Sequence, residues 1–201
     1  MKFDTVIIGG GESGLKKGMQ KLAEGKRVAI ITAGISTISI RHAARDIENY
    51  ITRLNEGIKI EADMKREFRT AGGVLLYGDE VLSAELSTAD NGEMLVKSVK
   101  TRKLEGDEVK AAEFYLATGS FVSRGLKSSY CKISEPIFNL DIEDAPPQSE
   151  MADVDFFAPQ AFMRVHVATD SKGHALKGGK AIVNLFPIGS IATGYPQPQK
   201  L

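Results

Sequence analysis

The chain has no tryptophan, a single cysteine (Cys131), three histidines and no excess charge of either sign, with Lys plus Arg and Asp plus Glu at 26 each. One cysteine excludes an intrachain disulfide framework and any multi-cysteine metal or iron–sulfur site built by this chain alone. Balanced charge leaves no global field to gather nucleic acid or an anionic membrane. The apolar runs are short. Val6-Ile7-Ile8 is far below membrane-span length and Met1-Lys2-Phe3-Asp4 lacks a signal-peptide pattern, so a cytoplasmic protein without direct membrane insertion is expected. His42, His166 and His174 have no partners at metal-ligand spacing, and no paired carboxylates or Ser/His/Asp set assembles. Neither a metal site nor catalytic residues are therefore expected. Cys131 follows Ser128-Ser129-Tyr130, with nothing beside it to stabilise a thiolate.

What is present is an ordinary globular composition, 42% hydrophobic and 26% charged over 201 residues, long enough for one domain with a real core. Its most informative stretch is Thr5-Val6-Ile7-Ile8 running into Gly9-Gly10-Gly11-Glu12-Ser13-Gly14. A buried parallel strand, a GxGxxG spacing and a helix in succession meet the context that a phosphate-binding turn requires. The first glycine allows the tight turn, the second lets backbone N–H groups approach a phosphate, and the third lets helix and sheet pack closely. The helix start offers unpaired N–H groups and a positive dipole end. The same spacing also serves a glycine-rich turn that binds nothing. Glu12 keeps that alternative open: it either repels an arriving phosphate or faces solvent and complements the helix dipole.

Leu15, Met19 and Leu22 recur at helical spacing while Lys16, Lys17, Gln20 and Lys21 point elsewhere, and Gly25 stops the helix. Residues 27–32 read as the second strand of a βαβ unit. Thr32 stands where many dinucleotide folds carry the acid that holds a ribose, which ranks an NAD-dependent dehydrogenase last. Ala43, Ile47, Tyr50, Ile51 and Leu54 predict a helix over 41–54, broken at Gly57; Ile60, Met64, Phe68 and Ala71 predict another, ending at Gly72-Gly73. Residues 74–77 read as a third parallel strand. An antiparallel meander follows within 78–112, with strands over 80–86, 94–101 and 109–116 and a hairpin turn at Asp90-Asn91-Gly92. Its lysines and arginines mark a solvated sheet face. Phe114-Tyr115-Leu116-Ala117-Thr118-Gly119-Ser120 is an apolar strand ending in a small hydroxyl-bearing turn. Residues 120–180 form an irregular excursion with an edge strand at 164–168, and 181–190 read as a last buried strand, with no further helix after it. The expected fold is α/β, a Rossmann-like three-layer domain of the FAD/NAD(P)-binding kind spanning 1–201, with a central parallel sheet, helices and the inserted meander.

The three strand ends at Gly9–Gly14, Ala117-Thr118-Gly119 and Asn184-Leu185-Phe186-Pro187-Ile188-Gly189, with the meander between the first two, resemble the glutathione-reductase-like flavoproteins. A closer resemblance is to the B-subunit family of anaerobic glycerol-3-phosphate dehydrogenases. It is carried by 2–14, by 68–81 with Gly72-Gly73-Val74 and Gly78-Asp79-Glu80-Val81, by 116–121 and by Glu135-Pro136-Ile137-Phe138-Asn139-Leu140-Asp141. The strings Asp155-Phe156-Phe157-Ala158-Pro159-Gln160 and 184–194 are more specific than the glycine motif. The resemblance implies a flavin-binding subunit, FMN first and FAD as the alternative. It further implies a larger FAD-bearing catalytic subunit and an iron–sulfur, membrane-associated subunit as partners, at the inner membrane face. The reaction implied is oxidation of glycerol 3-phosphate to dihydroxyacetone phosphate with electrons passed toward quinone. The cofactor-binding residues implied are Gly9, Gly10, Gly11, Ser13 and Gly14 at the phosphate, Thr32 at the ribose position and Val81 at the distal end. Thr118 and Gly119 would close the turn, with Gly189 and Ser190 beside the isoalloxazine.

Two parts of the family pattern have no counterpart in this sequence: a long insertion carrying a second domain between Ser36 and Ile58, and a terminal glycine-rich turn and helix after Gly194-Tyr195. A shortened chain of this kind is expected to be catalytically incompetent alone and to hold flavin weakly or not at all. The competing expectation is a non-catalytic interaction or structural domain that keeps the architecture and has lost its cofactor.

Overall fold

The apolar runs at 5–8 and 28–32 become strands buried on both faces because two separate layers cover them. The computed structural model describes residues 1–34, 36–130, 132–155 and 158–195. In chain order the first half contains β1 (Thr5–Ile8), α1 (Glu12–Ala23), β2 (Val28–Thr32), α2 (Ile38–Ala43), α3 (Tyr50–Thr70) and β3 (Val74–Tyr77). Then come β4 (Val81–Thr88), β5 (Met94–Thr101), β6 (Glu108–Val109) and β7 (Glu113–Leu116), and the short strands β8 (Lys127–Ser128), β9 (Ile133–Ser134), β10 (Ile142–Glu143) and β11 (His166–Val167). The last elements are β12 (Ala175–Lys177), β13 (Lys180–Ile182), β14 (Leu185–Pro187) and the single helical turn α4 (Ser190–Thr193).

The central sheet has the order β14-β7-β1-β2-β3, and each of its pairings is parallel. Alternate residues of each strand face opposite layers. Ile7, Val28, Ile30 and Tyr115 meet Leu15 of α1 and Phe68 of α3 on one face. On the other, Val6, Ile8, Ala29, Ile31, Phe114 and Leu116 meet Val81, Val96, Val99 and Val109 of the β4–β5–β6 ladder. The chain proceeds from β1 outward to β2 and β3, then returns to the opposite side of β1 for β7 and β14. That reversal beside β1 is the topological switch point at which α/β sheets open a crevice beyond their strand ends. The fold is the expected α/β arrangement, with a mixed, mainly antiparallel sheet as its third layer.

Four local expectations are corrected. The helix over 41–54 is instead a short α2 and an α3 that continues through Gly57 to Thr70. Gly57 is where α2 crosses α3. A Cβ there would lie 2.6 Å from the Ser39 Cα, so the glycine permits helix contact and does not end the helix. The stretch 109–116 divides between sheets, β6 closing the ladder on β5 and β7 pairing with β1. The run 181–190 divides likewise, β13 joining β5 and β14 joining β7. Asn184 makes the second division: its side chain exchanges hydrogen bonds with Val96 N and O (2.8 and 3.0 Å), and its carbonyl accepts from Phe114 N (2.8 Å). Finally Lys21, expected on the outer face of α1, is tucked in, 2.8 Å from Glu113 with its ammonium over the Tyr115 ring. The Glu113 carboxylate beside it raises its pKa well above the ordinary lysine range. The expected edge strand at 164–168 is present as β11, paired with β10.

Candidate cofactor site

At the end of β1 the chain turns on Gly9, whose φ of +116° lies in the region open to glycine; a Cβ there would strike the Ala117 carbonyl. Gly14 presses its Cα onto the Gly9 carbonyl, so the turn and the first turn of α1 are interlocked. Gly11, the N-cap of α1, is extended and has no side-chain cap, and the space where its Cβ would be is open. The N–H groups that begin a helix have no intrahelical acceptors, so an anion is favoured at this end.

A cleft of about 780 Å³ opens over this turn, within the range of about 300–1,000 Å³ usual for cofactor sites. Its floor is Gly9–Ser13. One end is made by Thr32, Ala33, Ser36, Thr37 and Arg41 and reaches Asp79, Glu80, Val81 and Leu82. The other is made by Ala117, Thr118, Gly119, Ser123, Arg124, Lys127, Ile137 and Ser190. Of the residues expected at a cofactor, Gly9, Gly10, Gly11, Ser13, Thr32, Val81, Thr118, Gly119 and Ser190 therefore border one cavity. Gly14 and Gly189 do not. Gly14 locks the turn from beneath, and Gly189 sits against Ser13, where a Cβ would lie 2.5 Å from its hydroxyl oxygen.

Glu12 borders the cleft, and its two oxygens are taken by Lys16 Nζ (2.7 Å) and Arg41 Nη2 (3.3 Å). The Lys16 hydrogen bond holds its carboxyl below the usual carboxylate range, against a smaller opposing effect of partial burial. With one acid between two bases, the mouth of the turn carries a net positive charge. Thr32 is 5% exposed; its hydroxyl accepts from Gly34 N (3.2 Å), and its side chain packs on Gly10. Among the described residues, the buried Thr118 and Ser120 hydroxyls have no hydrogen-bond partner. Buried hydroxyls are ordinarily satisfied, and Thr118 borders the cleft. The open space over Gly11, the compensated Glu12 and the unpartnered Thr118 hydroxyl together fit a phosphate-bearing cofactor.

Sequence reasoning missed Arg41, read only as the start of a helix; the signal available was that Glu12 needs a counter-charge. It also missed Asp79 and Tyr195. Burial pushes the Tyr195 hydroxyl pKa up, and the hydroxyl interacts with Ser190 and Ser123 at the cleft wall. The histidines each face one carboxylate, His42 with Glu56, His166 with Glu143 and His174 with Asp170. Among the described residues no three His, Cys, Asp or Glu side chains gather as a metal site. Cys131, Phe156-Phe157 and 196–201 lie outside the described residues.

A parallel sheet with a crevice at its switch point and an uncapped glycine turn opening into it define a nucleotide-cofactor-binding α/β domain. The family described as FAD binding domain matches residues 50–199. The chain belongs to that family, and its ligand class is a flavin. It also resembles the B subunit of anaerobic glycerol-3-phosphate dehydrogenase. It is 35% identical to that of Yersinia pestis bv. Antiqua over 144 residues, covering 72% of this chain and 33% of the relative. It is 39% identical to that of Vibrio vulnificus over 141 residues, 69% of this chain and 31% of the relative. The chain thus spans about a third of the length of these relatives. Among solved structures, the thioredoxin reductase of Giardia duodenalis overlaps 59% of this chain and 36% of its own at 21% identity, with a TM-score of 0.45.

Proposed function

We propose that the cleft holds FAD and that the chain is the cofactor-binding part of an oxidoreductase related to the B subunit of anaerobic glycerol-3-phosphate dehydrogenase. The observation that carries FAD over FMN is the reach of the cleft, which continues from the glycine turn past Thr32 to Asp79–Leu82. FMN ends at its phosphate and would leave that length unfilled. In this reading the backbone of Gly9, Gly10 and Gly11, backed by Gly14, donates to the diphosphate, and the Ser13 hydroxyl is an additional donor. Thr32 lies beside the ribose and Val81 offers backbone to the distal end. Thr118 and Gly119 close the turn, and Ser190, supported by Gly189, borders the flavin ring. A bound flavin would supply hydride acceptance and single-electron transfer. The residues of this chain bind and orient it, and the interlocked Gly9 and Gly14 keep the donors aimed.

By the same relationship the substrate is glycerol 3-phosphate and the electrons pass toward quinone. The partners are a larger catalytic flavoprotein subunit and an iron–sulfur subunit that brings the assembly to the inner membrane face. Residues 1–201 serve as one cofactor-binding domain that needs those partners for turnover. No helix among the described residues is long and apolar enough to cross a membrane.

Visible absorbance of the purified protein, followed by titration with FAD and FMN, tests this reading. Flavin absorbance, or tight binding of added FAD with weaker FMN, is expected. A colourless protein that binds neither supports instead a domain that keeps the architecture without the cofactor.

A further inference from the structure

The far end of the cleft is organised by one buried acid. Asp79, 3% exposed, accepts hydrogen bonds at Oδ1 from the backbone N–H groups of Glu80 and Lys103 (2.9 Å each) and at Oδ2 from the Thr101 hydroxyl (2.7 Å). Its own N–H donates to the Thr32 carbonyl (3.1 Å). One residue thereby ties together the end of β2, the start of β4 and the end of β5. Thr32, Asp79 and Val81 all border the cleft.

In folds of this topology the phosphates sit at the glycine turn and the ribose at the end of β2. Whatever extends beyond Thr32 toward 79–82 is then the adenosine half of a dinucleotide. FAD and ADP have such a half; FMN does not. We propose that Asp79 is a positioning residue that sets the preference of this cleft for an adenosine-bearing flavin. It acts through the backbone of 79–82, held at a set spacing from Thr32. Without its carboxylate, two N–H groups and one hydroxyl lose their acceptor, and the start of β4 loses its brace to the end of β5 while the backbone bond to Thr32 stays. The glycine turn shares none of these bonds, so the flavin-side half of the site keeps its geometry. The proposal rests on the reading of the cleft as an FAD site.

The test compares Asp79→Ala, the conservative Asp79→Asn and the milder Thr101→Val, which serves if Asp79→Ala does not fold. FAD and FMN are titrated by quenching of flavin fluorescence and ADP by calorimetry. In Asp79→Ala, FAD and ADP are expected to weaken about tenfold or more while FMN changes less than about twofold. Thr101→Val shifts the same two ligands by less. Asp79→Asn recovers most of the loss, because its amide keeps one acceptor and can donate to Thr101. Equal losses of FAD and FMN in a folded variant overturn the proposal, as does unchanged ADP binding. A wild-type chain that binds neither FAD nor ADP overturns the cofactor reading and this proposal together. A wild type that binds FAD, with Asp79→Ala unchanged, overturns this proposal alone.

Discussion

Replacing Glu12 with Gln isolates the electrostatics of the glycine turn. A carboxylate about 5 Å from a phosphate, at an effective dielectric near 20, is repelled by about 3 kcal/mol. Uncompensated, that would cost about two decades of affinity. Here Lys16 and Arg41 stand at 2.7 and 3.3 Å from the same carboxylate, and all three side chains are at least a third exposed. Solvent screening at such exposure reduces the residual to about 0.5–1 kcal/mol. Glu12→Gln is therefore expected to tighten FAD and FMN by about two- to fivefold. Riboflavin, which has no phosphate, should not change. The gain should shrink as salt is raised, since exposed charges are screened within about 10 Å at 0.1 M. It should also vanish as pH falls through the lowered pKa of Glu12, because the wild-type carboxyl is then neutral as well. Fluorescence titrations at two salt concentrations and across acidic pH read all of this. An equal change for riboflavin, or weaker FAD binding in the variant, would refute the argument and make Glu12 a structural anchor for Arg41.

Thr118→Val replaces an unpartnered buried hydroxyl with a methyl group; the apo protein should gain up to about 1 kcal/mol in thermal melts while flavin binding weakens. An unchanged flavin affinity would remove Thr118 from the site. Gly57→Ala places a methyl 2.6 Å from the Ser39 Cα, so it should cost about 1–3 kcal/mol by overpacking even though alanine is the better helix former; a raised melting temperature would contradict the crossing. Glu135 is 1% exposed and accepts from the N–H groups of Ile137 and Phe138, and burial raises its carboxyl pKa above the ordinary 4.5. The folded state then holds this proton more tightly than the unfolded chain, so stability falls as pH rises from about 4.5 through the raised value. Glu135→Gln should flatten that part of the stability profile, and an unaltered slope would assign it to other groups.

The strand–turn–helix start was legible because every requirement is local: an apolar run, glycines at fixed offsets and a helical stripe on Leu15 and Met19. The β5 strand was legible at its full length for the same reason, with turn residues on both sides. Residues 109–116 and 181–190 were misread because an apolar stretch reports burial without reporting which of two stacked sheets buries it. Asn184, whose side chain occupies a place in the neighbouring ladder, is the sort of residue at which such a run divides. Gly57 was misread because its reason lies in another helix. The pairing of Arg41 with Glu12 joins residues far apart in sequence, and only the fold brings them to one mouth. The proposed site residues on the glycine turn and at Thr118 came from strand-end motifs; Asp79 came from geometry.

The strand order also sets a folding sequence. β1 pairs with β2 after one helix, but its other edge waits for β7, more than a hundred residues onward, and β7 in turn waits for β14. Non-local parallel pairings of this kind form slowly, since loop closure precedes any reward. The β1–α1–β2 half of the cradle therefore assembles from local contacts while one edge of β1 is still bare, and an uncovered apolar edge invites pairing with another chain. Hydrogen-exchange pulse labelling would see Ile7 and Ile30 protected before Tyr115 if this order holds. The wall that bears Thr118 and Ser190 closes last, so completion of the cleft and burial of the most aggregation-prone edge are the same late event.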